Sequence, residues 1–320
     1  MADSIDASVK LLEDCLGLKQ NELFLIVTDN KKIALAQQLH QAGQRIGAES
    51  MLLLMEERKK SGQEPPIPVA EAMKQADAVV CITEHSLTHT AARKEAVATG
   101  TRVATMPGIT EDMFYHGAVT ADYKKVRALT EKVTTYLEQS SEVRIEKEGE
   151  SLTFSIAGRH GIASTGVLTE RGDSGNLPSG EAYIAPVEGT ATGKVKVDGS
   201  IADIGILNSP LWLTLENGKL VDVQGEAAEQ LLTLLHTDKS RQLAEFGIGT
   251  NDKARITGVV LEDEKVYGTI HLAFGSNVTF GGQIEAGVHI DLVIRDPDVY
   301  LDGKKFINKG IPLVNMSLSK

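Results

Sequence analysis

Two short apolar runs hold the residues of this chain best suited to chemistry. They are Gly268-Thr269-Ile270-His271-Leu272-Ala273-Phe274-Gly275 and Gly287-Val288-His289-Ile290-Asp291-Leu292-Val293-Ile294. Apolar runs bounded by glycine read as buried strands. Side chains two apart on a strand share a face, so His289 and Asp291 point one way and Ile290 the other. Two imidazoles and a carboxylate on adjacent strands make a compact site for a divalent cation. The same spacing also suits a buried histidine satisfied by its neighbour, and both readings stand at this level.

Two glutamates add to the set. Asn176-Leu177-Pro178-Ser179-Gly180-Glu181 closes a Gly/Ser/Asp-rich loop just before an apolar run. A carboxylate at a rigid loop-to-strand junction can hold a cation or a substrate, or can simply face solvent. Ala244-Glu245-Phe246-Gly247-Ile248-Gly249 places a charge inside an apolar segment. A buried carboxylate needs a metal or a partner, and Arg241 or Arg255 could be that partner.

A second candidate cluster lies in the first half of the chain. Open α/β sheets bind ligands beyond the carboxyl ends of their strands. There the sequence has Thr28-Asp29-Asn30, Thr83-Glu84-His85-Ser86 and Met106-Pro107-Gly108-Ile109-Thr110. His85, Ser86 and His89 are candidate substrate contacts; helix capping by Thr83, Ser86 or Thr88 is the alternative. No Gly-rich fingerprint follows the first strand, which argues against a nicotinamide or P-loop nucleotide.

The elements that must position these residues fall into two groups. Strands at 23–28, 50–55, 78–83 and 102–105 alternate with helices at 4–17, 31–46, 69–75 and 87–99. Asp29 or Asn30 is the expected cap of the second helix. This alternation implies βαβ units and a mostly parallel sheet. An amphipathic helix over 121–138 carries Val126, Leu129, Val133, Tyr136 and Leu137 on one stripe. After residue 141 the period shifts from about 3.6 to 2. Hairpins are expected around 148–151 and Asn217-Gly218, one helix near 225–236, strands over 256–261, 266–274 and 288–294, and a turn at Asp302-Gly303. The expected architecture is an N-terminal parallel-sheet α/β domain, 1–140, contributing to a substrate cleft, followed by a β-rich antiparallel metal-binding domain, 141–320.

Bulk properties narrow the partners. A chain of 320 residues suggests two domains. A net charge of -11 disfavours nucleic acid and anionic membrane. No apolar run approaches the ~20 residues of a membrane span, and the first residues lack the basic and apolar regions of a secretory signal. Cys15 and Cys81 form no C-x-x-C motif and read as buried thiols of a cytoplasmic protein.

The four segments around Glu181, Glu245, His271 and His289-Ile290-Asp291, in this order, resemble the aminopeptidase T/S family of metallopeptidases (leucyl aminopeptidase-like). The resemblance covers most of the chain and is strongest over about 170–295. It implies that Glu181, Glu245, His271, His289 and Asp291 are metal ligands and that the protein is a homodimer. It further implies an aminopeptidase acting on small peptides, with zinc, cobalt or manganese generating hydroxide and Glu181 or Glu245 serving as ligand and base. The chain departs from that pattern: it is shorter, its His271-to-Asp291 interval is compressed, and Val278 stands where the peptidases carry a tyrosine. In the same superfamily, the iron-dependent 2,5-dihydroxypyridine dioxygenase is similar in length and binds metal through two histidines and an aspartate. This supplies the alternative of an Fe(II) ring-cleaving dioxygenase on His271, His289 and Asp291, with His85, Ser86 and His89 holding the ring. A non-enzymatic metal- or ligand-binding protein is a third reading of the same residues.

Overall fold

The computed structural model describes residues 2–313. Its contacts divide the chain into two compact units, Met1–Tyr123 with Gly166–Ser179, and Lys124–Thr165 with Gly180–Lys320.

The first unit is an α/β layer structure. Strands Leu23–Thr28, Ala78–Ile82 and Arg102–Thr105 are buried almost throughout, as continuous apolar runs in a sheet covered on both faces must be. They pair in parallel in the order Glu49–Leu54, Leu23–Thr28, Ala78–Ile82, Arg102–Thr105, Ser174–Asn176. The last strand comes from the loop before Glu181 and has no apolar signature. It explains why 166–179 returns to this unit.

Several expected boundaries shift. The second helix runs Ile33–Ile46 with Lys32 at its cap position and no side-chain cap bond. Asp29 is committed elsewhere: Oδ1 accepts from Lys31 N at 3.0 Å and Oδ2 from Glu84 N at 2.7 Å. The helix expected over 87–99 begins at Ala91, because Thr90 accepts from Arg93 N and caps it there. A short helix, Glu111–His116, was not expected.

The second unit holds two antiparallel sheets, of eight and seven strands. Their apolar faces share one cluster that includes Ile145, Phe154, Val195, Leu213, Phe246, Leu272, Phe274, Ile290 and Leu292. Phe154 and Phe246 meet edge to face at 5.4 Å. The Asn217-Gly218 turn forms as expected, both residues having positive φ, between strands Leu211–Glu216 and Lys219–Gln224.

Helix Tyr123–Glu138 belongs almost wholly to this unit and not to the first, so the boundary expected at residue 140 does not coincide with the division of contacts. Leu129, Val133 and Leu137 join the apolar cluster, and Thr130 Oγ1 lies 2.6 Å from Thr250 Oγ1. Tyr136 is off the buried stripe, 41% exposed. The strand expected over 256–261 is instead loop leading into the short helix Val260–Asp263. The Asp263 carboxylate gathers Thr257 N, Gly258 N and Ser200 Oγ and winds the backbone out of a strand path.

Phe246 is wholly buried beneath the face that carries the ionisable residues. We expect Phe246→Ala to cost about 3–5 kcal/mol, read as a lowered urea midpoint; a change under about 1 kcal/mol would mean that this cluster is not the core.

Candidate metal centre

The central strands of the seven-stranded sheet run, in order, His289–Ile294, Ile270–Gly275, Leu243–Gly249 and Glu181–Ile184. Their register decides which side chains meet. Gly249 pairs with Glu181, Gly247 with His271 and Glu245 with Ala273; Ala273 in turn pairs with Asp291, and Gly275 with His289. By the period of two, Glu181, Tyr183, Glu245, His271, Asp291 and His289 all project from one face. The opposite face carries Ile184, Phe246, Ile248, Leu272, Phe274, Ile290 and Leu292 into the core.

Between the ionisable residues the site face carries Gly247, Gly249, Ala273 and Gly275, with Val293 across from His271. Gly247 shows why. A Cβ built there would lie 2.0 Å from His271 Nε2, so the imidazole occupies the space a side chain would take.

The resulting cluster is close-packed. His271 Nε2 is 3.1 Å from Glu245 Oε1 and 3.3 Å from Glu181 Oε2. His289 Nε2 is 3.5 Å from Glu245 Oε2 and 3.4 Å from Asp291 Oδ1. Among the described residues, three groups have ligand atoms all within 4.8 Å of one another: Glu181–Glu245–His271, Glu245–His289–Asp291 and Glu264–His271–Asp291. None of the three contains both histidines. Glu245 stands between them, one oxygen toward each, while Asp291 groups with each in turn. The structure therefore brings together all five residues expected as ligands, and the partners of Glu245 are imidazoles, not Arg241 or Arg255. Arg241 Nε donates to Leu235 O, and Arg255 lies by Glu262.

Two oxygens in this cluster, Glu181 Oε2 and Asp291 Oδ1, are buried and have no hydrogen-bond partner. Buried polar atoms are rarely left so, and a cation beside either oxygen would satisfy it. His289 is oriented for the purpose: its Nδ1 lies 2.8 Å from Ser276 O, so the N–H donates there and Nε2 faces the carboxylates.

The charges shift one another. Burial works against protonation of His271, but the Glu245, Glu181 and Glu264 carboxylates outweigh it and push its pKa up to about 9. His289 is likewise raised to about 10, Asp291 and Glu245 prevailing over desolvation. Asp291 is held below the usual range, its desolvation overcome by His289. Burial raises Glu245, and burial together with Glu181 raises Glu264 to about 8.

Sequence reasoning missed Glu264, Lys265 and Tyr183. Lys265 is wholly buried and bonded to Glu181 Oε1 at 2.7 Å and to Glu264. Burial raises the Tyr183 phenol, and the carboxylates raise it further; its ring packs against Phe280, which packs against His289. Alternation alone places Tyr183 beside Glu181. Nothing local marks Glu264-Lys265, which lie in a loop that closes over the sheet.

The second cluster lies in the first unit. His85, half-buried, is 3.8 Å from Glu57. Ser86 Oγ donates to Thr88 Oγ1, which with Thr105 Oγ1 bonds to Asn176 Oδ1. His89 is exposed in the turn before Ala91. Neither Ser86, Thr83 nor Thr88 caps that helix; Thr83 Oγ1 donates to His85 O.

A family model described as NicX, 2,5-dihydroxypyridine 5,6-dioxygenase, matches residues 3–313. The chain is 27% identical over 190 residues to aminopeptidase AmpS of Bacillus subtilis, covering 52% of this chain and 46% of that protein. It thus spans about half the length of that relative. It is 23% identical over 258 residues to 2,5-dihydroxypyridine 5,6-dioxygenase of Pseudomonas putida, covering 75% of this chain and 71% of that one. The solved structure of the Pseudomonas putida dioxygenase superposes with a TM-score of 0.84 at 18% identity, covering 98% of each chain; at that identity the likeness is one of fold.

The geometry makes two predictions. Gly247→Ala should push the His271 ring aside and weaken divalent-cation binding at least about 10-fold, read by calorimetric titration; unchanged affinity would remove His271 from the ligand set. Because imidazoles with raised pKa values must lose protons to ligate, cation affinity should climb as pH rises from about 6 toward 9, with protons released. Calorimetry in buffers of differing ionisation enthalpy measures that release, and binding without it would contradict the assignment.

Proposed function

This chain belongs to the 2,5-dihydroxypyridine 5,6-dioxygenase family, and from that premise we propose that it is an Fe(II)-dependent ring-cleaving dioxygenase acting on a small dihydroxylated aromatic ring. The observation that carries the reading is the place of Asp291, which groups with His289 in one set and with His271 in another. Two imidazoles with a carboxylate common to both form the donor set of non-haem iron centres that keep positions open. The buried oxygens of Glu181 and Asp291 that make no hydrogen bond support a cation in this cluster. Bound there, ferrous iron supplies the one-electron chemistry toward dioxygen that side chains lack.

The chain's own residues do the rest. Ser276 O fixes the His289 tautomer. Tyr183 and Phe280 build an aromatic wall beside His289, suited to a planar ring. Glu245, raised by burial, is placed to accept a proton from a ring hydroxyl.

A second reading rests on a different observation. Glu245 presents one oxygen to each imidazole, as a carboxylate bridging two ions in a zinc, cobalt or manganese aminopeptidase would, with Glu181 or Glu245 as base. Against it, Val278 leaves no phenol at the position where the peptidases carry one. A homodimer in the cytoplasm is proposed with either reading.

Anaerobically purified protein loaded with ferrous iron should consume oxygen with 2,5-dihydroxypyridine. His289→Ala or Asp291→Asn should lower both iron content and rate by at least about 10- to 100-fold. Release of p-nitroaniline from a leucine anilide with zinc, cobalt or manganese, and no oxygen uptake with iron, would overturn the dioxygenase in favour of the hydrolase.

A further inference from the structure

Lys265 is a wholly buried ammonium that the proposed chemistry does not use. Its Nζ donates to Glu181 Oε1 at 2.7 Å and to Glu264 Oε1. Its main chain is fixed as firmly: Lys265 N donates to Glu262 O, and Lys265 O accepts from Asn251 N, both at 2.9 Å. Gly249 permits this approach, since a Cβ there would lie 2.1 Å from Val266 O and 2.8 Å from Lys265 C. The loop thus lies directly on the sheet and delivers its ammonium into the acidic cluster.

We propose that Lys265 is a resident cation that limits this cluster to a single divalent ion, held by His271, His289 and Asp291 with Glu245 beside them. The inference rests on the reading that the cluster takes a divalent ion. The charges argue for it. With all four ionised, Glu181, Glu245, Glu264 and Asp291 carry four negative charges, which two divalent ions would balance if no lysine were present. With the ammonium in place, one divalent ion leaves a net charge of -1 where it would otherwise leave -2, and a second ion, which would neutralise the lysine-free cluster, overshoots to +1 in a buried site where uncompensated charge is costly.

Geometry points the same way. Of the group Glu181–Glu245–His271, Glu181 is the residue that would distinguish a second ion's site from the first. Its Oε1 is already bonded to Lys265. A second ion there would sit against a like charge. Lys265 is a positioning residue: its ammonium is bonded to Glu181 and Glu264 and acts by occupying them.

The test is a titration of the full-length, chelator-stripped protein with Mn2+ in the absence of substrate, read by calorimetry and by the paramagnetic resonance of free Mn2+. Wild-type protein should bind one ion per chain. Lys265→Met, which keeps the length of the side chain and removes its charge, should bind two, with thermal unfolding showing that it folds. Two wild-type ions with affinities within about ten-fold of each other, or a folded Lys265→Met that still binds one, would overturn the proposal. If Lys265→Met does not fold, Lys265→Gln replaces it, and the wild-type stoichiometry decides by itself. A wild-type protein that binds no ion overturns the metal reading itself, a different failure from binding two.

Discussion

Mutual repulsion among carboxylates buried on one sheet face is the constraint to which the rest of the second unit answers. Like charges about 4 Å apart at an effective dielectric near 20 repel by about 4 kcal/mol per pair. Glu181, Glu245 and Asp291 share that face, and Glu264 reaches it from a loop. Without compensation they would have to take up protons or the site would open. The molecule supplies compensation of two kinds. Lys265 is permanent, tied to Glu181 and Glu264. His271 and His289 are conditional: they carry protons in the bare protein and can surrender them to a cation. A site charged in this way could exchange those protons for a cation.

That frame depends on side-chain size as much as on charge. One face of the four central strands is large and apolar and fills the core; on the other, Gly247, Gly249, Ala273 and Gly275 leave room among the ionisable residues. The strands can therefore lie at ordinary spacing while imidazoles and carboxylates fold down over their neighbours. Gly247 makes room for the His271 ring, and Gly249 makes room for the Lys265 loop. The loop 276–288, which spaces His271 from His289, is organised by buried Asn277: Oδ1 accepts from Ile284 N, and Nδ2 donates to Ala244 O. Ser276 at its start holds the His289 ring.

In the first unit the polar residues at the carboxyl ends of the strands are satisfied mainly by one another. Asp29 ties the end of one strand to the loop after the next. Thr88, Thr105 and Asn176 form a single hydroxyl–amide network at the ends of Arg102–Thr105 and Ser174–Asn176. This edge is a hydrogen-bonded polar network, completed by the short strand that chain order places far from its neighbours.

Much of this architecture is legible in the primary structure because it is local. Continuous apolar runs separated by amphipathic stretches determine the parallel sheet, and period-two alternation determines that His289 and Asp291 share a face. Asn217-Gly218 determines its turn by backbone sterics alone. The resemblance around Glu181, Glu245 and His271 selects the same residues that the fold assembles. What only the tertiary structure decided is long-range. Strand register sets Glu245 between the two imidazoles. Asp263, drawing donors of Thr257, Gly258 and Ser200 to itself, turns an expected strand into a loop and carries Glu264 and Lys265 over the sheet. Ser174–Asn176 becomes a strand only because Arg102–Thr105 offers an open edge. A side chain's face follows from its neighbours in sequence, but its partner across a sheet follows from pairing energies summed over the whole fold, and those are not written at any single position.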